Sequence, residues 1–214
     1  MDTRNSYRVR TAKTREDLKR MYDVRYEGYR IYFDDKNKVI DECDFEPHCT
    51  LLIAEDANNN MVGTIRILDR RMGSIELDAH VPMEALFSGE ELHCCEATRF
   101  SVPKHVDSKE IKWLLIKSVM CYCHLNGINY IIMSSRPEIA RDYHTMRFRD
   151  IGNAGVYHHH DLGDTEHHSY ILDIHSARDE LKSCNPMLHD FFFVEESFIE
   201  TDDLVLAVPV TLMV

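Results

Sequence analysis

The apolar positions of the chain change period several times, and each change marks an element. Residues 7–11 read as a short strand. Thr14 then stands as an N-cap with Glu16 and Asp17 in the first turn behind it. Leu18, Met21, Tyr22, Arg25, Tyr26 and Tyr29 recur at helical spacing, which predicts an amphipathic helix. Residues 34–45 are polar and acid-rich, hence a loop. The run CTLLIAE at 49–55, the turn Asn58-Asn59-Asn60 and the run MVGTIRIL at 61–68 predict a hairpin. Residues 74–91 show no clear period beyond a short helix near 82–87. A strand follows over 92–102. Residues 108–126 predict a helix capped by Ser108, with Trp113, Leu114, Ile116, Val119, Met120 and Cys123 on its apolar side and Gly127 ending it. YIIMS at 130–134 suits a strand buried on both faces. A helix over 137–147 and two strands, 154–160 and 166–174, turning at 161–164, complete the pattern.

This alternation predicts an α/β fold, a mixed and mostly antiparallel central sheet flanked by helices in a three-layer sandwich. Residues 1–175 form the main domain. Residues 176–214 form a C-terminal extension: a helix at 176–182, an apolar cluster at 187–194 and a hydrophobic tail at 204–214. That tail must bury itself at the core edge, as a lid or in an oligomer interface.

Composition narrows the function classes. The 214 residues hold only 8 Gly and 6 Pro, and no stretch reads as a linker. A formal charge of −12 without any basic block argues against nucleic acid as a partner. Seven cysteines, with Cys94 and Cys95 adjacent, suit reduced structural thiols rather than a disulfide framework. The opening MDTRNSYRVR has no apolar core and no run reaches the ~20 residues of a membrane span, so the expected compartment is the cytoplasm, with no integral membrane segment.

Several motifs occur in an informative order: Arg25-x-x-x-Tyr29, Asp41-x-x-Asp44, Gly63-Thr-x-Arg66 and Glu96-x-x-Arg99-Phe100. Together they resemble the acyl-homoserine-lactone (autoinducer) synthases and the N-acyl amino acid synthases, which share the fold of the GCN5-related N-acetyltransferases. Residues 45–50 and 143–148 look closer to the N-acyl amino acid branch. Where the autoinducer synthases carry a Trp after the first helix, this chain offers Tyr32 and Phe33. The resemblance implies an N-acyltransferase that moves an acyl group from a thioester to the amine of an amino acid or similar small molecule. It also implies that Arg25, Asp41, Asp44, Arg66 and Arg99 form one polar constellation.

Such a transfer needs a deprotonated amine, a polarised thioester carbonyl and alignment of the two reactants. Glu96, Arg99 and Ser101 are the candidate catalytic residues. Glu96 is the general base through a water, and the backbone amides around Phe100 and Val102 are the oxyanion donors. Arg25, Tyr29, Phe33, Asp41, Asp44 and Arg66 border the acceptor, and Arg25 or Arg99 can meet its carboxylate in a bidentate contact. Trp113, Met120, Ile132 and Met133 are candidates to line an acyl slot, although core packing alone is the stronger account of them. The segment 103–108 lacks the glycine that a pyrophosphate-holding loop uses. Acyl carrier protein therefore fits as donor, with acyl-coenzyme A the alternative and no tightly bound cofactor. Lys104, Lys109, Lys112 and Lys117 are the candidate docking face for an acidic carrier.

Two other readings compete. One is a coenzyme-A-dependent acetyltransferase of the same fold. The other is a non-catalytic metal- or ligand-binding module built on His158, His159, His160, His167 and His168. Consecutive strand residues alternate sides, so five histidines cannot converge; one of them beside the acceptor pocket is the expectation, and no metal site.

Overall fold

The computed structural model of the protein describes residues 7–83, 93–104, 108–195, 199–200 and 204. Its strands are β1 (Tyr7–Thr11), β2 (Cys49–Asp56), β3 (Met61–Asp69), β4 (Cys94–Ser101), β5 (Tyr130–Ser135), β6 (Arg149–Asp150), β7 (Val156–His159) and β8 (Thr165–Asp173). They form one sheet in the order β1-β2-β3-β4-β5-β8-β6, with β7 also on β8. Every pairing is antiparallel except β4 with β5. Helices α1 (Arg15–Tyr29) and α2 (Ser108–Asn126) cover opposite faces. α3 (Ala140–Thr145), α4 (Ile174–Cys184) and α5 (Pro186–Phe193) follow. The predicted mixed α/β sandwich is therefore the observed fold.

Local chemistry sets the element ends. Thr14 and Asp17 form a reciprocal capping box: Asp17 N–H donates to Thr14 Oγ1 at 3.0 Å, and Thr14 N–H to Asp17 Oδ2 at 3.1 Å. α2 ends in a Schellman motif. Gly127 lies at φ +65°, and Ile128 N–H donates to Cys123 O at 2.8 Å. The sheet's alternation splits the core. Leu52, Ala54, Ile65 and Ile67 pack under α2, whereas Leu51 and Ile53 meet Met21 and Tyr22 of α1.

Several expectations need revision. The 34–45 loop holds two 3₁₀ turns, Lys36–Val39 and Glu42–Phe45, each capped by an aspartate. The helix expected over 137–147 is a 3₁₀ turn, Pro137–Ile139, followed by the shorter α3. The strand expected from 154 begins at Val156, because Gly152 at φ +87° turns the chain into a 3₁₀ segment, Asn153–Gly155. β6 was not anticipated. The apolar cluster near 187–194 is helix α5, and Ala177, Leu181, Leu188 and Phe192 join the cluster under α2. Of the short helix expected near 82–87, residues 84–87 lie outside the described residues, as do the tail beyond Leu204 and the Ser108 side chain.

Gly63 lets α2 approach β3. A Cβ there would come within 2.9 Å of Ile111 Cγ2 and 3.0 Å of Leu115 Cδ1. Gly63→Val is expected to lower unfolding free energy by about 1–3 kcal/mol, as overpacking does, measured by urea denaturation; an unchanged midpoint would show that α2 can yield there.

Candidate active site

Three arginines from α1, β3 and β4 meet three acids from two 3₁₀ turns on the α1 side of the sheet. Arg25 of α1 donates to Asp44 through Nη1 at 2.6 Å and Nη2 at 3.0 Å, and Arg66 of β3 adds Nη1 to Asp44 at 3.1 Å. All three side chains are fully buried. Arg66 also meets Asp41 at 3.2 Å and Glu76 at 2.5 Å. Arg99 of β4 pairs with Asp41, and with Glu76 at 2.9 Å. Asp41 doubles as the cap of its 3₁₀ turn, accepting Cys43 N–H at 2.9 Å. Burial pushes the Asp41 carboxyl up, but Arg66 and Arg99 overcome this and hold it well below the ordinary range. The five residues named from sequence thus form one network, with Glu76 as a sixth member that sequence reasoning missed. The signal was arithmetic: two acids against three bases left a cation unmatched, and buried charges need partners.

Glu96 is placed by the way two strands separate. β4 and β5 pair in parallel over Cys94↔Tyr130, Cys95↔Ile131 and Glu96↔Ile132 and no further. β4 then continues along β3, and β5 along β8, so the sheet opens beyond Glu96. Just past this point the β3–β4 register slips between Thr64↔Ser101 and Arg66↔Thr98, a bulge holding Arg99 and Phe100. Arg99 there has φ +51°, a costly conformation for a non-glycine residue. The extra residue in β4 takes backbone amides out of the β3 ladder at the mouth of the opening.

Glu96 is buried and accepts Leu77 N–H at 3.2 Å. Burial first, and the Glu76 charge second, raise its carboxyl to about 8, against the smaller opposing effect of Arg66. Among the described residues it pairs with no base; Arg99 is engaged by Asp41 and Glu76. A carboxyl so held sits near the pH at which it can both take and return a proton.

The remaining candidates separate. Tyr29 stacks on Phe33 at 6.3 Å, and its phenol borders the network: burial raises its pKa, and the Arg99, Arg25, Glu76 and Arg66 charges act on it. Ser101 donates its hydroxyl to Val24 O at 3.0 Å, joining β4 to α1 where Gly28 leaves room. Phe100, Val102, Trp113, Met120 and Met133 belong to the apolar cluster under α2, while Ile132 faces the other side with Leu68 and Leu77. Ile132 and Met133 therefore cannot line one wall together. Trp113 lies 5.7 Å from Phe191 of α5, beneath Lys109 Nζ at 4.6 Å. Lys104 is exposed and Lys112 partly buried. Lys117 leaves the docking face: it is buried and donates to Phe191 O at 2.6 Å and Glu195 O at 2.5 Å. All seven cysteines are free thiols.

The histidines divide by side of the β7–β8 hairpin. Tyr157 pairs with His167, and His159 with Thr165. His159 and His167 lie 5.3 Å apart and pack with Tyr157, which stacks on His80 at 4.3 Å. His158 and His160 turn to Asp164, and His168 to Glu166. Among the described residues no three metal-ligating groups converge. No described helix is long and apolar enough to cross a membrane.

An antiparallel sheet that splits beside one parallel pair, with a bulge at the split, defines a GCN5-related N-acyltransferase fold. A Staphylococcus aureus Mu50 acetyltransferase of that family superposes with a TM-score of 0.55 at 12% identity, over 79% of this chain and 99% of that one. Residues 18–162 match the family model described as N-acyl amino acid synthase FeeM, and the chain belongs to that family. The FeeM structure, from uncultured soil microbes, superposes with a TM-score of 0.68 at 17% identity, over 81% of this chain and 93% of that one. A CoA-dependent acyl-homoserine lactone synthase, BjaI, solved with SAM and isopentyl-CoA, gives 0.62 at 16% identity over 91% and 92%. No curated protein matches the chain in sequence. The protein is an N-acyltransferase of this type.

Asp44→Asn removes the charge shared by two buried guanidinium groups. Unfolding free energy should fall by about 3–5 kcal/mol, read from chemical denaturation; a loss below about 1 kcal/mol would mean the network holds without it. Glu76→Gln removes a negative charge beside Glu96 and leaves Arg66 in place. The Glu96 titration should move down from about 8 towards the ordinary glutamate range, visible by carbon NMR of labelled glutamate; no movement would exclude Glu76 as a cause.

Proposed function

We propose that the enzyme acylates the amine of an amino acid with an acyl group delivered as a thioester by acyl carrier protein. The observation that carries the reading is Glu96, buried at the point where β4 and β5 part, beside the β4 bulge. The amine enters on the Glu96 side and the thioester lies in the opening. Glu96, through a water, takes the proton as the nitrogen attacks the carbonyl carbon. Amides at the bulge receive the negative charge that develops on the carbonyl oxygen. The C–N bond forms, the C–S bond breaks, and the thiolate leaves as the carrier's thiol after taking up a proton. Asp44 and Arg66 organise the loop that carries Asp41, and Arg99 is held at the bulge by Asp41 and Glu76.

Support for a carrier protein comes from the glycine-free segment 103–108 and from Lys104, Lys109 and Lys112 on an otherwise acidic chain of charge −12. The acceptor class follows from the family's description as N-acyl amino acid synthases. BjaI, described as CoA-dependent, keeps coenzyme A as the alternative donor. Long-chain acyl carrier protein, the matching acyl-coenzyme A and acetyl-coenzyme A, each offered with a panel of amino acids, separate the readings by thiol release and product mass. Turnover at least tenfold better with the carrier protein is expected; turnover with acetyl-coenzyme A alone would replace this reading by a short-chain acetyltransferase.

Glu96→Gln keeps an acceptor for Leu77 N–H but no base. Turnover should fall by about 10²-fold or more with the fold intact. In the wild type the base form grows as pH rises through about 8, so kcat/KM should climb across that value, and the limb should vanish in the variant. Wild-type rates in Glu96→Gln across pH would assign the residue a structural role.

A further inference from the structure

The three arginines of the central network leave no free charge for a substrate. Arg25 and Arg66 are spent on Asp44, and Arg66 and Arg99 on Asp41 and Glu76. Three cations meet three anions, and Glu96 adds a fourth carboxyl that burial keeps neutral over most of the physiological range. An acceptor carboxylate entering here would face a balanced cluster, and taking an unpaired carboxylate out of water is costly. The cation for it has to come from elsewhere on the same side of the sheet.

Arg136 meets that need. It directly follows β5, and strand alternation places Ile132, Ser134 and position 136 on one face, the face of Glu96. From Ile132, opposite Glu96, the chain runs four residues to Arg136, about 13 Å of extended backbone. One step past the last pair, Ser135↔His168, brings Arg136 alongside His167. Burial, and further along the positive Arg136, lower the His167 pKa. His167 donates Nδ1–H to Thr165 O at 3.1 Å, so a neutral ring adds no charge there. The Arg136 guanidinium lies 5.7 Å over the Tyr32 ring, which ties it to the loop after α1. The side chain is partly buried, and no acidic group among the described residues pairs with it. Glu138, two residues on, is exposed.

We infer that Arg136 binds the carboxylate of the acceptor amino acid and so determines specificity for α-amino acids over simple amines, an inference that rests on the amino-acid reading above. The planar guanidinium suits a carboxylate bidentately, and Tyr32 holds its plane without neutralising it. Between Arg136 and Glu96 stand Tyr157 and His167, stacked at 5.8 Å, with His80 on Tyr157. This ring wall gives the acceptor's side chain an aromatic surface.

The test compares the best L-amino acid acceptor with its own carboxamide, in wild type, Arg136→Ala and Arg136→Lys. The wild type should prefer the acid. Arg136→Ala should raise KM for the acid by about 10- to 100-fold, the scale of a lost charge-assisted pair, with the change in KM rather than kcat and none for the amide. Arg136→Lys should recover part of the loss. Equal damage to acid and amide would make Arg136 a staple for the Tyr32 loop and overturn the inference. Equal use of both by the wild type would overturn it while leaving amino-acid acylation standing. A wild type that acylates neither sinks the parent reading and this inference together.

Discussion

Asp44 is a carboxylate with no exposed side-chain surface, holding two arginines that are equally buried. In a low-dielectric interior none of these charges is tolerable alone, and together they are worth having only if the geometry is kept. Arg25 belongs to α1, Asp44 to the loop that follows it, and Arg66 to the middle of the sheet. Their mutual requirement fixes a loop that has little apolar surface of its own. The same loop carries Asp41, so pairing at Asp44 sets where Asp41 meets Arg99, and thereby the side chain at the strained bulge.

The consequences reach Glu96 through Glu76. Glu76 sits on a 3₁₀ turn whose next residue, Leu77, donates its N–H to Glu96. One short segment thus supplies a negative charge that disfavours ionisation and a hydrogen bond that favours it. Burial decides the balance and raises the carboxyl to about 8, well above an ordinary surface glutamate. Pairing of β4 with β5 stops at the same residue, so the tuned carboxyl and the gap in the sheet coincide. The proposed mechanism relies on this defect in the ladder: a β4 paired throughout with β3 and β5 would offer it neither the opening nor the bulge amides.

Much of this was legible along the chain because it is local. The Thr14–Asp17 box, the Asn58–Asn60 turn and Gly127 depend on residues within a few positions of each other. The motifs of Arg25, Asp41, Asp44, Arg66, Glu96 and Arg99 are likewise short patterns in a fixed order. The reading failed where distant segments decide. Lys117 looks like a surface lysine on a helix, yet α5 covers it and takes its donors. Ile132 and Met133 fail for a different reason: strand alternation, a local rule, already sets neighbours on opposite faces of the sheet.

Most elements and their alternation could be read from the chain alone, as could the motif residues of the polar network, since periodicity, capping and turn chemistry act over short range. Only the tertiary structure decided which charges meet. Glu76 has no local signature, and its role comes from lying against Arg66, Arg99 and Glu96, which are remote in sequence. Arg136 reads as one more arginine until the sheet register brings it beside His167 and, among the described residues, leaves it without an acid. Electrostatic partners are set by distance in space, and that is available only once the sheet has formed.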